Sequence, residues 1–393
     1  MKTLEAIREA LDRRPGELAQ ARAQGQVVAG YFCCYMPEEI LLALGLLPVR
    51  LGRGGDEELL DLGARYVSTK TCTFIRESIG LFANGKDPFA ANCDVVAVAG
   101  TCIQMYRLSE VVKHYFHPKT IALGVPRNYH LPEGRAYFKA ELQDFIRRLE
   151  NISGKELDAA RLQECVELCR DIRECQQEIY RLQAGEASSI TWQEALEVIQ
   201  AGFYLDRPIY LSLLRETLAE LKSQAADGRP DGHPRIFLSG SIIAPGDGKI
   251  IGIVEEMGGR IVVDDLCTGQ RFFRALSVAA PTIDAIADAY LDRIPCASLP
   301  CLLPMEEDRR FADMMQLIEE YQVEGIIYHT LRFCDPFTFK ANATKKFLQG
   351  RIPFLELHTE YSPSDVEAIR TRVESFIDLI YARRKRKRGV QPC

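Results

Sequence analysis

The stretch CDVVAVAGTCIQMYRLSEVVKHYFHPKTIALG, residues 93–124, decides the fold class. It starts with a buried-strand pattern (CDVVAVAGTC), continues with the helical pattern IQMYRLSEVVKHY, and ends in a second strand pattern, KTIALG. A strand, a helix and a second strand in this order are typical of a βαβ unit, whose two strands are parallel. The sequence therefore predicts an α/β protein with a parallel sheet.

The same alternation extends to both sides of this stretch. Upstream strand-like runs are QVVAGYFCC and ARYVSTKTC, and downstream ones are PRIFLSGS, GRIVVDDLC, RIPCASLPC, VEGIIYHTLRFC and IPFLELHTE. Residues from about 137 to 226 are continuously helical in pattern, and AADGRPDGHP after them reads as a loop. We expect two doubly wound parallel-sheet (Rossmann-like) domains, residues 1–136 and 231–393, joined by a helical connecting segment, residues 137–230.

Charge and composition exclude several classes of function. The net charge of −6 gives no reason to expect nucleic acid as a partner. The basic run RRKRKR, residues 383–388, reads as a solvated helix end, with a docking patch as the alternative. The first residues form a charged amphipathic helix, and no run is apolar enough to cross a membrane, so we expect a cytoplasmic protein. In a reducing compartment, 13 cysteines indicate metal binding or redox chemistry rather than disulfides.

Six cysteines close strand-like runs, which is the most informative feature of the sequence. Ligands of open α/β sheets bind beyond the carboxyl ends of the strands, so these thiols are expected to meet in one cleft between the domains. Any one of them alone could instead be a buried residue that packs in the hydrophobic core. The six are Cys33, Cys72, Cys102, Cys267, Cys301 and Cys334.

The spacing of these cysteines bears on what they could hold. Thiolates select zinc, copper(I) or iron–sulfur clusters. Structural zinc sites use closely spaced cysteine pairs, whereas these cysteines are tens of residues apart, which favours a large iron–sulfur cluster. Cys165, Cys169 and Cys175 lie on a predicted helix and are interpreted as packing residues. Cys93 begins a strand and Cys393 is in the tail, so neither is expected to be a ligand.

Several segments together resemble the 2-hydroxyacyl-CoA dehydratase/benzoyl-CoA reductase family over nearly the whole chain. They are GYFCCYMPEEILLALGLLPVRL, CTFIRESIG, DVVAVAGTC, GGRIVVDDLCTGQRFF, GIIYHTLRFCDPF and IPFLELHTEYSPSDVEAIRTRVESFI. The resemblance implies one 4Fe–4S cluster held by three cysteines, which Cys72, Cys102 and Cys334 match. The double-cubane branch of the family carries an 8Fe–9S double-cubane cluster, and Cys33, Cys267 and Cys301 match its second set. Because all six are present, the sequence most resembles the double-cubane branch.

At two ligand positions the sequence offers two cysteines. Cys34 stands beside Cys33, and Cys296 lies five residues before Cys301, so either member of each pair could be the ligand. The chain also has Ile103 after Cys102, where many members of the family have Asp.

The resemblance also implies partners and a chemistry. A transient ATP-hydrolysing iron–sulfur activator protein would supply low-potential electrons, which agrees with the absence of a G-x-x-x-x-G-K-[ST] loop in this chain. The substrate would be a small molecule or an acyl-CoA thioester, and the assembly a homodimer. Candidate catalytic proton donors are Asp265, His329 and Asp335, with a helix cap or a strand-end hydrogen bond as the alternative role of each.

Arg76 and Arg271 each follow a cysteine by four residues. They could pair with an anionic substrate or form surface salt bridges.

Three functions are consistent with the sequence. The first is a double-cubane reductase that acts on small unsaturated molecules. The second is a 2-hydroxyacyl-CoA dehydratase or benzoyl-CoA reductase subunit with one 4Fe–4S cluster and a different second subunit. The third is a non-catalytic zinc protein.

Overall fold

A computed structural model describes residues 1–186, 188–224 and 232–389. The described residues form two four-stranded parallel sheets with the orders β2-β1-β3-β4 and β6-β5-β7-β8. The first sheet consists of β1 (Val28–Phe32), β2 (Leu47–Arg50), β3 (Val95–Gly100) and β4 (Thr120–Gly124). The second consists of β5 (Arg235–Gly240), β6 (Arg260–Asp264), β7 (Gly325–Leu331) and β8 (Phe354–Thr359). The predicted fold class is confirmed, and both sheets have the same topology.

Helices surround the first sheet and continue into a long helical stretch. The helices of the first half are α1 (Lys2–Ala23), α2 (Glu38–Ala43), α3 (Glu57–Gly63), α4 (Thr73–Asn84) and α5 (Ile103–Tyr115). The helical stretch contains α6 (Pro132–Ser153), α7 (Ala159–Gln183), α8 (Trp192–Ala201) and α9 (Arg207–Gln224). The expected domain boundary at residues 230 and 231, most of the predicted loop AADGRPDGHP, and Cys393 lie outside the described residues.

The second half repeats the alternation of strands and helices. Its helices are α10 (Lys249–Glu256), α11 (Gln270–Phe273), α12 (Ile283–Asp292), α13 (Arg309–Glu320), α14 (Asp335–Leu348) and α15 (Val366–Gly389). Short 3-10 helices cover Ala90–Asn92, Met305–Glu307 and Pro363–Asp365. No helix within the described ranges is long and apolar enough to cross a membrane.

Two of the strand-like runs are not strands. The run ARYVSTKTC forms turns after α3, and Cys72 is the residue that precedes α4. The run RIPCASLPC is also irregular, because Pro295 and Pro300 lack the backbone N–H that a strand ladder needs. The predictions that Cys72 and Cys301 end strands are therefore wrong. Pro48 is tolerated in β2 because β2 is an edge strand.

The central strands of both sheets are buried over almost their whole length and are mostly apolar, since parallel strands are covered on both faces. All six residues of β3, VVAVAG, are buried, and so are all seven of β7. The carboxyl end of each strand consequently emerges from a rigid core. Residues that follow these strands are held in fixed positions.

Close packing of α3 on α4 positions the start of α4. A Cβ atom added to Gly80 would lie 1.8 Å from the carbonyl oxygen of Leu59, and one added to Gly63 would lie 1.8 Å from that of Arg76. Only glycine allows two helix backbones to approach this closely. The contact fixes α4, and with it Cys72 at the helix start.

Buried ion pairs connect α2 to the helical stretch. Glu38 pairs with Arg207 of α9, and Glu39 pairs with Arg173 of α7. The Tyr290 hydroxyl donates to Glu39 Oε2 at 2.9 Å. Buried charges need such partners to offset the loss of hydration. These pairs hold the segment that follows strand β1 against both α7 and α12.

Candidate functional site

A cavity of about 100 Å³ is lined by cysteines from both halves of the chain. Cys33 follows β1, Cys102 follows β3, Cys267 follows β6 and Cys334 follows β7, so the cavity lies at the carboxyl ends of both sheets. The cysteines that line it are Cys33, Cys34, Cys72, Cys102, Cys267, Cys296 and Cys334. Five of the six cysteines predicted as ligands thus share one cavity, and Cys301 is outside it.

Contacts between the thiols divide these cysteines into two groups. In the first group, hydrogen bonds from the Cys267 and Cys33 thiols lower the pKa of Cys34 well below its ordinary value. In the second, a hydrogen bond from the Cys334 thiol lowers the pKa of Cys72. In each group the pKa of one thiol is therefore below its ordinary value, which favours the thiolate, the form that binds metals.

The backbone is strained at two of these positions. Cys33 has a φ of 79° and Phe333, which precedes Cys334, has a φ of 61°. Non-glycine residues rarely adopt such angles, and they do so mainly where the surrounding structure imposes them. The turn at Cys33 brings the thiols of both Cys33 and Cys34 to the cavity.

Arg50, the last residue of β2, places a cation at the cavity. Its Nη1 donates to the Cys267 carbonyl oxygen at 2.9 Å, and its Nη2 lies 3.7 Å from Cys267 Sγ. The guanidinium also stacks on Phe203 and Phe272, with Cζ 4.5 Å and 5.3 Å from the ring centroids. Sequence reasoning missed Arg50, and the only signal was one charge at the end of the apolar run LLPVR.

The loop after α12 presents Cys296, and not Cys301, to the cavity. Arg310 holds this loop by donating to the carbonyl oxygens of Cys296 at 3.0 Å and of Leu299 at 2.9 Å. Cys301 Sγ lies instead 2.8 Å from the Nζ of Lys340 on α14. The geometry thus favours Cys296 at the position that the sequence left open between two cysteines.

The three predicted proton donors are not among the residues that line the cysteine cavity. His329 is fully buried on β7, its Nε2 lies 2.7 Å from Thr359 Oγ1, and burial lowers its pKa to about 3, so the ring is neutral at pH 7. Asp265 pairs with Arg271 at 3.1 Å. Asp335 is exposed at the start of α14.

The remaining predicted residues have structural partners. Arg76 is buried and pairs with Glu360 at 2.5 Å, so its salt bridge is not a surface one. Cys165 and Cys169 are buried on α7 and Cys175 is half-buried there, and none of the three lines the cavity.

The donor set fits a multi-atom inorganic group better than a single ion. Within the described ranges no three His, Cys, Asp or Glu side chains are arranged to hold one metal ion. The cavity of about 100 Å³ is several times the roughly 10–15 Å³ that one water molecule needs. Soft thiolates around a space of this size are the donors that iron–sulfur clusters use.

Comparisons with known proteins agree with this arrangement. A family model described as 2-hydroxyglutaryl-CoA dehydratase, D-component, matches residues 33–380. A proposed dehydratase subunit, YjiM, of Escherichia coli (strain K12) is 28% identical over 364 residues, which cover 91% of this chain and 93% of that protein. The (R)-phenyllactyl-CoA dehydratase beta subunit of Clostridium sporogenes is 26% identical, with 91% and 92% covered. A benzoyl-CoA reductase subunit of Thauera aromatica is 24% identical, with 96% of each chain covered. The matched residues include every cysteine that lines the cavity.

Proposed function

The chain belongs to the 2-hydroxyglutaryl-CoA dehydratase D-component family, and we propose that it is an iron–sulfur reductase of the double-cubane type. A separate ATP-hydrolysing iron–sulfur activator supplies it with low-potential electrons, and it reduces small unsaturated molecules. The observation that carries the proposal is the meeting of seven cysteines from both halves around one cavity. Such thiols stay reduced in the cytoplasm, where the proposal places the protein.

The two groups of thiols correspond to two sets of ligands. Cys72, Cys102 and Cys334 form one set, and all three line the cavity. The second set consists of Cys33 or Cys34 together with Cys267 and Cys296. Cys296 takes the place of Cys301 in this set because it lines the cavity and Cys301 does not. When bound there, an iron–sulfur cluster supplies electron transfer at a potential that its surroundings adjust.

The chain's own residues would set those surroundings. Arg50 offsets negative charge on the thiolates, because its guanidinium lies beside Cys267. Apolar side chains, among them Leu51, Met105 and Leu331, form most of the rest of the cavity wall, which also includes Thr101, Gln104 and Ser298. An apolar wall keeps out water and lowers the local dielectric constant, which strengthens the effect of each nearby charge.

Metal analysis after strictly anaerobic purification tests the proposal. We expect about eight iron atoms and a matching amount of acid-labile sulfide per chain, and no stoichiometric zinc. The Cys175→Ser variant is the matched control, because Cys175 lies on α7 away from the cavity, and it should keep the full iron content. A colourless protein with stoichiometric zinc and no sulfide would support the non-catalytic zinc protein instead.

A second candidate is a 2-hydroxyacyl-CoA dehydratase or benzoyl-CoA reductase subunit with one 4Fe–4S cluster. It is favoured by relatives that are named as subunits, among them those of phenyllactyl-CoA dehydratase and of benzoyl-CoA reductase. About four iron atoms per chain, tight binding of a CoA thioester and assembly with a different subunit would support it. About eight iron atoms per chain in a homodimer would support the double-cubane reductase.

A further inference from the structure

A second, smaller cavity of about 40 Å³ lies inside the C-terminal half. It shares Phe337 with the cysteine cavity, and Ala297 in its wall directly follows Cys296. Its polar lining comes from separate elements, namely Ser239 of β5, Asp265 after β6, Arg271 of α11, Arg310 and Asp313 of α13, Tyr328 of β7, and Lys340 and Thr344 of α14. We call it the Arg271 pocket.

Arg271 has hydrogen-bond donors that no described residue accepts. The residue is only 6% exposed, and its Nη2 pairs with Asp265 Oδ2 at 3.1 Å. The Nε and Nη1 atoms are buried and have no partner in the described part of the chain. The same is true of the Oγ of Ser239, which is fully buried on the same cavity. Burying polar groups without partners is costly, so these two side chains point to a polar ligand.

The charges around the pocket favour an anion. Each lining carboxylate already has a cation, because Asp265 pairs with Arg271 and Asp313 pairs with Arg274 at 2.8 Å. Arg310 pairs with Asp308. Lys340 contacts Cys301 Sγ and makes no ion pair with a carboxylate among the described residues. The positive charge of Lys340 is therefore available to a ligand with a single negative charge.

The volume limits the size of that ligand. A space of about 40 Å³ holds about three groups of the size of water, at roughly 10–15 Å³ each. A carboxylate accepts charge-assisted hydrogen bonds from guanidinium and ammonium groups. We propose that the Arg271 pocket binds a planar monoanion of the size of formate. This site goes beyond the proposed electron chemistry and requires no iron.

Titration of ¹³C-formate into the full-length protein, followed by NMR and calorimetry, tests the proposal. We expect saturable binding of one formate per chain. Lys340→Gln should weaken it about tenfold, because a charge-assisted bond is lost. Lys346→Gln is the matched control, since Lys346 is exposed on the same helix and does not line the pocket.

A variant that fills the space tests the site without removing a charge. Ser239→Val should abolish binding, and because the Ser239 hydroxyl has no described partner, little native bonding is lost. Circular dichroism and an unchanged unfolding midpoint would show that both variants fold. Absence of saturable binding to the wild type, equal binding by Ser239→Val, or chloride binding as tightly as formate would overturn the proposal. Iron content does not enter this assay, so its result is independent of the proposed function.

Discussion

Arg50 donates a hydrogen bond to the backbone carbonyl oxygen of Cys267 at 2.9 Å, and this bond connects the first sheet to the loop after β6. The residue is 3% exposed, and its guanidinium lies against two aromatic rings, those of Phe203 and Phe272. Removing the donor would leave the carbonyl oxygen of the half-buried Cys267 without this bond, which costs free energy. Arg50 therefore both joins the two halves and places a positive charge among the thiols.

Replacing Arg50 should weaken the contact between the two halves of the chain. We expect Arg50→Met to lower the free energy of unfolding by about 1–3 kcal/mol, since the Cys267 carbonyl loses its donor. Urea unfolding at pH 7 measures the change. Arg53→Met, at an exposed position nearby, should change stability by less than about 0.5 kcal/mol. Equal effects of the two substitutions would show that the Arg50 contact is not important for stability.

Cys296 and Cys301 should differ in their effect on iron content. Cys296 lines the cysteine cavity, whereas the Cys301 thiol lies beside Lys340. We expect Cys296→Ser to lower the iron bound per chain and Cys301→Ser to leave it unchanged, with both variants purified anaerobically beside the wild type. Loss of iron from Cys301→Ser alone would restore Cys301 as the ligand.

The close packing of α3 on α4 should not tolerate a methyl group. Gly80→Ala places a Cβ atom 1.8 Å from a backbone oxygen, so one helix must move, and we expect a loss of at least about 2 kcal/mol. Gly252→Ala on α10 is the control, because nothing lies within 4 Å of the added atom, and it should stabilise by up to about 1 kcal/mol. Thermal unfolding compares the two. A neutral Gly80→Ala would refute the close contact that positions Cys72.

His329 should make the protein less stable in mild acid. Burial lowers its pKa to about 3, so between that value and the ordinary value of about 6.5 the unfolded chain binds a proton that the folded protein does not. The neutral His329 ring therefore stabilises the folded protein above pH 6.5, and this contribution is lost as the pH falls. The free energy of unfolding should decrease by about 2 kcal/mol between pH 7 and pH 5.

The His329→Asn variant should lack this part of the pH dependence. Urea unfolding at pH 7 and pH 5 gives the difference for the wild type and for the variant. His358→Gln, at an exposed position on β8, should behave as the wild type does. If His329→Asn lost as much stability as the wild type on acidification, His329 would not be the group that titrates.

The sequence predicted the central strands of both sheets because buried parallel strands are mostly apolar runs, and β3 is the clearest example. It did not predict the edge strand β2. The sequence also predicted which cysteines would lie together wherever a strand ends within a few residues before them, as β1 does before Cys33 and β7 before Cys334. For these residues it was sufficient to know their order in the chain and the rule that ligands of open α/β sheets bind beyond the carboxyl ends of the strands.

The sequence could not predict positions that depend on distant contacts in irregular loops. Cys296 faces the cavity because Arg310, on the following helix, binds the carbonyl groups of its loop. Arg50 in the first half of the chain bonds to Cys267 in the second half, and no local sequence pattern indicates that these two residues are in contact. His329 and Asp265 were predicted from their nearness to cysteines in the chain, but their side chains bond to Thr359 and Arg271.

Anomalous X-ray diffraction at the iron edge, on crystals grown without oxygen, tests most directly whether cysteines from both halves hold one inorganic cofactor. We predict iron peaks within bonding distance of Cys72, Cys102 and Cys334, and further peaks beside Cys267 and Cys296. An ordered cavity with its thiols free and no anomalous signal between them would contradict the account.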